Sequence, residues 1–200
     1  MTTMLLPGFE PEGNEARPTA DRPTADRPTA ESNEFFTPQW LLDWLPPIAL
    51  DPCHCEFSNV QAAHGFDIRR GDDGLRADWA RWTHKLVESI VWVNPPYSDC
   101  AAWMAKCAAE SLRCQIPIVA LIPAKPGEVY WHESIWGVAA SVGFLRGRVP
   151  FDTVAGRGKE AGTFGSALVV YGPNAAAVVA HIREASRRNR FSPVWVTPTV

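Results

Sequence analysis

The run Ile90–Val93, IVWV, carries an apolar side chain at every position. A strand with one wet face alternates apolar and polar residues, so a run without alternation is expected to be covered on both faces. The rest of the chain agrees with such a layered arrangement. IALD (Ile48–Asp51), Ile118–Ile122, the run ASVGFL and Ala167–Tyr171 read as further strands. Helical patterns lie between them, over 99–114 with Trp103, Lys106 and Cys107 near helical spacing, over 128–136, and after Asn174, placed to cap AAAVVAHIREASRR. Strands alternating with helices predict an α/β protein with a doubly wound sheet and helices on both faces. In such sheets ligands sit outside the carboxyl ends of the strands, where the strand order reverses. Asp51 and Asn94 each stand at such an end.

Residues 17–31 repeat Arg-Pro-Thr-Ala-Asp and offer nothing large and apolar to bury, so 1–33 is expected to be a disordered or polyproline-like tail. The folded domain is expected over 34–190, with 191–200 as an extension. Thr37-Pro38 reads as a helix start, Thr37 capping and Pro38 in the first turn, and Pro46-Pro47 as its stop. FSNVQAAHG is expected to be a short helix closed by Gly65, FDI a second strand, GDDGLRADW a loop, and GRGKEAGTFG a mobile loop.

The 200 residues, 46% hydrophobic and 20% charged, suit one soluble domain. No apolar run is long enough for a membrane span, and the N-terminus lacks the basic region of a signal peptide. Five cysteines in no disulfide spacing point to a reducing, cytoplasmic setting. Cys53-His54-Cys55 is a poor zinc pattern, since structural sites pair C-x2–4-C with a second cluster. With a net charge of −3, a nucleic-acid ligand needs a local basic surface. Two groups offer one: Arg146, Arg148, Arg157 and Lys159, or Arg183, Arg187, Arg188 and Arg190. Either also serves as an ordinary solvated face.

After IVWV the chain reads Asn94-Pro95-Pro96-Tyr97. Each proline fixes φ near −65° and pushes the residue before it to extended geometry, so Asn94 leaves the strand in a stiff direction with Tyr97 close behind. NPPY matches the [D/N/S]-P-P-[Y/F/W] motif of amino-methyltransferases. Its company, FFTPQWLLDWL, LDPC, DDGLRADW, LIPAKPGEVYWH, FLRGRVPF and FGSALVVYG in that order, resembles the phage-type DNA N6-adenine methyltransferase family over most of 34–172.

That resemblance implies a Rossmann-like fold, S-adenosylmethionine as cofactor and DNA as partner. It also implies a catalytic motif of Asn94, Pro95, Pro96 and Tyr97. The amide oxygen of Asn94 and the carbonyl of Pro95 would accept from both N–H groups of the target amine, and Tyr97 would stack on the base. The cofactor's methionine end falls to Asp51, with Pro52 and Cys53 where a Gly-rich loop is usual, and to Thr37-Pro38. Asp73 resembles the acid that holds the cofactor's adenine amino group, and Asp67 stands where a ribose-binding acid would. Lys125, Arg146, Arg148, Arg157 and Lys159 are the DNA-binding candidates. Cytosine N4, RNA or a free nucleotide remains an alternative substrate, and a non-catalytic binding module on the same fold is the alternative class.

Overall fold

The computed structural model describes residues 36–83, 88–114, 116–153, 156–161 and 163–198, the stretch 156–161 by its backbone alone. In chain order the elements are α1 (Gln39–Leu42), β1 (Ile48–Asp51), β2 (Ala62–Gly65), α2 (Ala80–Thr83), β3 (Ile90–Val93), α3 (Cys100–Ser111) and β4 (Ile118–Pro123). There follow α4 (Val129–Ser134), β5 (Ser141–Phe144), β6 (Pro150–Thr153), β7 (Gly156–Ala161), β8 (Ser166–Tyr171), α5 (Ala175–Ser186) and β9 (Val194–Val196). The proposed tail, 1–33, lies outside the described residues.

Seven strands form one sheet in the order β2-β1-β3-β4-β8-β5-β9. β2, β1, β3 and β4 are mutually parallel, and β8 enters antiparallel between β4 and β5. From β1 the chain moves outward to β2 and then returns to β3 on the other side, so the order reverses between β1 and β3. The absence of polar alternation in IVWV has its expected consequence. Val91 and Val93 pack into one core with Trp103, Met104 and Cys107 of α3 and Trp131 of α4. Ile90 and Trp92 pack into the other, with Leu41 and Leu42 of α1 and Val178, Val179 and Ile182 of α5. The sheet is thus covered on both faces, a Rossmann-like arrangement.

Several local expectations are corrected. Pro38, not Thr37, is the residue at the cap of α1, since its ψ of 144° is extended. Asn174 caps α5 by position only: it is left-handed at φ 57° and its side chain makes no capping bond. AAHG is not the end of a helix. It is β2, paired with β1 in the register Leu50↔His64 and Asp51↔Gly65. FDI is no strand, because Asp67 there caps a single 3-10 turn, Ile68–Arg70, by accepting from the Arg69 N–H at 2.9 Å. The stretch expected to be a mobile loop carries β7, paired with β6 in a hairpin beyond the main sheet. Val194–Val196, expected in an extension, is the edge strand on β5. Among the described residues no helix is long and apolar enough to cross a membrane.

Candidate active site

β1 and β3 end side by side at the reversal of strand order, and their last polar groups border one cleft of about 180 Å³. Asp51 closes β1, 3% exposed. Its Oδ1 accepts the Cys53 N–H at 3.0 Å, which turns the chain sharply without the usual glycines, and its Oδ2 lies 3.6 Å from His54 Nδ1. Burial raises the Asp51 carboxyl above its ordinary value, with His54 and the Cys53 N–H opposing. Beside it, burial pushes the Cys53 thiol well up, against the hydrogen bond the sulfur receives from the Asn94 backbone N–H. The loops after β1 and β3 therefore touch directly.

Asn94 follows β3, and its Nδ2 donates to Thr37 Oγ1 at 3.2 Å. Thr37 is 2% exposed. The side-chain amide is planar, so a nitrogen turned to Thr37 places Oδ1 on the opposite branch. Pro95 is buried and Pro96 exposed, and Tyr97 opens a short 3-10 turn that leads into α3. The Tyr97 ring meets Phe151 of β6 edge-on, centroids 6.1 Å apart. Burial also drives the Tyr97 phenol upward.

The far wall comes from the chain after β2. Asp67 is nearly buried there, and its neighbour Ile68 is 73% exposed, an apolar surface beside a carboxylate. Thr37, Asp51, Cys53, Asp67, Asn94, Pro95, Pro96 and Tyr97 all line the one cleft. Asp73 does not. Its Oδ1 accepts from the Leu75 and Arg76 N–H groups at 3.0 and 3.2 Å, the work of a turn. Pro38 and Pro52 also stand back from the lining. Pro52 is buried beneath Gly74, where a Cβ would fall 1.9 Å from the Pro52 carbonyl oxygen. Lys125 sits beyond β4 with its Nζ 3.7 Å from the Phe164 ring centroid. Arg146 and Arg148 are exposed just past β5. Arg157 and Lys159 fall on β7, their side chains outside the described residues.

The structure adds lining residues that the sequence reading missed. Phe36 enters because its N–H donates to the Asp152 carbonyl and its own carbonyl accepts from Asp152, at 2.8 and 3.1 Å, an isolated bridge to the hairpin. Trp92 lines the cleft fully buried, with no acceptor for its Nε1–H among the described residues. Its signal was present in the pleat, which sends Trp92 to the face opposite Val91 and Val93. Ile68 had no local signal.

A doubly wound sheet with its polar cleft at the reversal point, and a rigid Asn-Pro-Pro-Tyr at the end of the adjoining strand, defines a Rossmann-like methyltransferase domain. The chain belongs to the DNA N-6-adenine-methyltransferase (Dam) family, which it matches over residues 32–190. No curated protein and no solved structure matches it.

Proposed function

We propose that the chain moves a methyl group from S-adenosylmethionine to the exocyclic N6 of adenine in DNA. The observation that carries this reading is the Asn94 amide, held at the carboxyl end of β3 on the same cleft as buried Asp51 and Asp67. An exocyclic amine is a weak nucleophile because its lone pair is delocalised into the ring. Hydrogen bonds accepted from its two N–H groups favour a pyramidal nitrogen and stabilise the positive charge that grows on it. Asn94 Oδ1 and the Pro95 carbonyl are the acceptors, spaced by a backbone that the two prolines stiffen. Tyr97 stacks on the base, which must leave a duplex to reach it. With the cofactor bound, N6 would take its methyl group, the sulfur leaving as a neutral thioether, and the surplus N6 proton would pass to water while Asn94 Oδ1 and the Pro95 carbonyl hold the amine.

The cleft's donor set fits the cofactor. The two buried carboxylates suit a ligand bearing an ammonium, a sulfonium and a ribose diol, and exposed Ile68 offers an apolar shelf for a flat ring. The unanswered Trp92 Nε1–H adds a donor for a carboxylate. When bound, the cofactor supplies an electrophilic methyl group. No thiol is needed as a nucleophile, and burial favours the neutral form of Cys53 and of Cys100, the latter pushed up to about 11.

The test is transfer of labelled methyl from S-adenosylmethionine to unmethylated duplex DNA, followed by nucleoside analysis. Label in N6-methyladenine is expected, and label in N4-methylcytosine would change the base. Asn94→Ala is expected to slow single-turnover transfer about a hundredfold, the effect of losing one hydrogen bond made in the transition state, with cofactor affinity nearly intact. Equal loss of cofactor binding would make Asn94 structural.

A further inference from the structure

The turn Arg187-Arg188-Asn189-Arg190 joins α5 to β9 and carries more charge than the helix end accounts for. Cations suit the negative end of a helix, and Arg187, at the cap of α5, also pairs with Glu184 at 3.3 Å. Arg188 and Arg190 lie beyond that cap. Both are exposed, and neither enters an ion pair among the described residues. The turn that presents them is tied at both ends. The Asn189 N–H donates to the Ser186 carbonyl at 2.8 Å, and the Asn189 side-chain oxygen accepts the Phe191 N–H at 2.9 Å.

Phe191 connects this turn to the basic segment after β5. Its ring stacks on Trp40, and Trp40 meets Trp44 edge-on, each pair with centroids 4.9 Å apart. The Arg190 guanidinium lies 4.6 Å from the centre of the Phe191 ring. Gly147, between Arg146 and Arg148, has φ +73°, and a Cβ added there would fall 3.9 Å from the same ring. Arg190 and the backbone of 146–148 therefore abut one aromatic side chain. A guanidinium laid on a ring gives up freedom before it binds and keeps its N–H edge open to an anion. The turn also stands on the reacting edge of the sheet. Val194 of β9 pairs with Phe144, the last residue of β5, and β5 runs parallel to β3, which ends at Asn94. Four strand spacings separate β9 from β3, about 19 Å. That is roughly five or six base pairs of duplex. We propose that Arg188 and Arg190 bind phosphates of the substrate duplex to one side of the target adenine, and that the Phe191 ring joins them to Arg146 and Arg148 in one backbone-binding surface. This inference rests on the DNA reading given above.

The experiment compares the full chain with Arg188→Ala/Arg190→Ala, Arg188→Lys/Arg190→Lys and Phe191→Leu. Binding of an unmethylated duplex fragment is titrated between 50 and 200 mM salt. Calorimetry with S-adenosylmethionine reads the cofactor site separately. The alanine pair is expected to lower the slope of log Kobs against log salt by about 1.8 and to weaken DNA binding at least about tenfold. Its cofactor Kd is expected to stay at the wild-type value. The lysine pair keeps both charges and is expected to keep the slope. Phe191→Leu keeps both arginines and removes the stack, and is expected to weaken DNA binding about threefold, on the scale of one cation–π contact. A wild-type slope in the alanine pair would overturn the proposal, whether or not affinity fell. So would a lysine pair whose slope drops as far as that of alanine, or an alanine pair that loses cofactor affinity in step with DNA affinity. Wild-type DNA binding by Phe191→Leu would overturn the part given to the ring. If the unaltered chain itself shows no salt-dependent binding to duplex, the DNA reading fails, and the two failures are told apart.

Discussion

His54 and Asp51 form a close pair at the rim of the cleft, 3.6 Å apart, and its behaviour can be worked out from the groups around it. The Asp51 carboxylate, 3.6 Å from the imidazole, holds His54 above its ordinary 6.5. Desolvation opposes this, Asp67 reinforces it, and the Arg70 charge works against it. Asp51 is itself raised, chiefly by burial. Both shifts mean that the folded chain binds protons more tightly than the unfolded one. The His54 contribution to stability is therefore complete below the unfolded value of 6.5 and is lost as pH rises through its elevated folded value, whereas that of Asp51 is complete below 3.8 and is lost as pH rises through its own. The pair is partly open to solvent, which holds the effect under about 1 kcal/mol. Thermal melts from pH 6 to pH 9 should show stability declining for this reason. His54→Gln, which removes the titrating ring, should flatten the decline, and an identical profile in that variant would place the proton uptake elsewhere.

At the level of elements, the turn after β1 depends on a segment that never enters the cleft. Gly74 presses on the Pro52 carbonyl so closely that any Cβ must displace one of the two. Trp79 fixes the same segment from the other side, its Nε1 donating to the Gly74 carbonyl at 2.7 Å. Gly74→Ala is expected to destabilise the fold by about 2 kcal/mol, as overpacking does, and to weaken cofactor binding by tilting the Pro52–His54 turn. Denaturant titration and calorimetry check the two effects, and a stability loss with unchanged affinity would detach Gly74 from the cleft. Asp73 makes the bonds of a turn, a pattern that its spacing alone did not separate from ligand binding. What was legible in the sequence follows the same logic. β1 and β3 announced themselves because both are apolar and end in a polar group, which placed Asp51 and Asn94 correctly. β2 did not. It is an edge strand of small, mostly exposed residues, so neither burial nor alternation marks it, and only its pairing with β1 makes it a strand. β9 is hidden for the same reason, its valines exposed while Trp195 packs on Gly143. The Thr37–Asn94 bond was invisible because capping rules see four residues and this bond spans 57.

On the scale of the whole molecule, a net charge of −3 repels DNA at long range, so binding requires cations gathered where the substrate must lie. The sequence offered two separate basic groups, and the fold brings their ends together. The Arg146 N–H donates to the Phe191 carbonyl at 3.4 Å, and the Arg190 guanidinium lies over the Phe191 ring at 4.6 Å. The ring of Phe191 stacks in turn on Trp40 of α1, centroids 4.9 Å apart. Arg146 and Arg148 leave β5 at the same edge of the sheet as Asn94, because β5 runs parallel to β3. A duplex presenting an adenine to Asn94 would therefore pass these arginines. Replacing both by alanine is expected to lower the slope of log Kobs against log salt by about 1.8, close to 0.9 for each phosphate released. Titrations of a DNA fragment between 50 and 200 mM salt would measure it. Weaker binding with an unchanged slope would make the two arginines readers of base edges rather than of phosphates. Unchanged binding would move the duplex to another part of this edge, and the β6–β7 hairpin, which carries Arg157 and Lys159, would be the next segment to test.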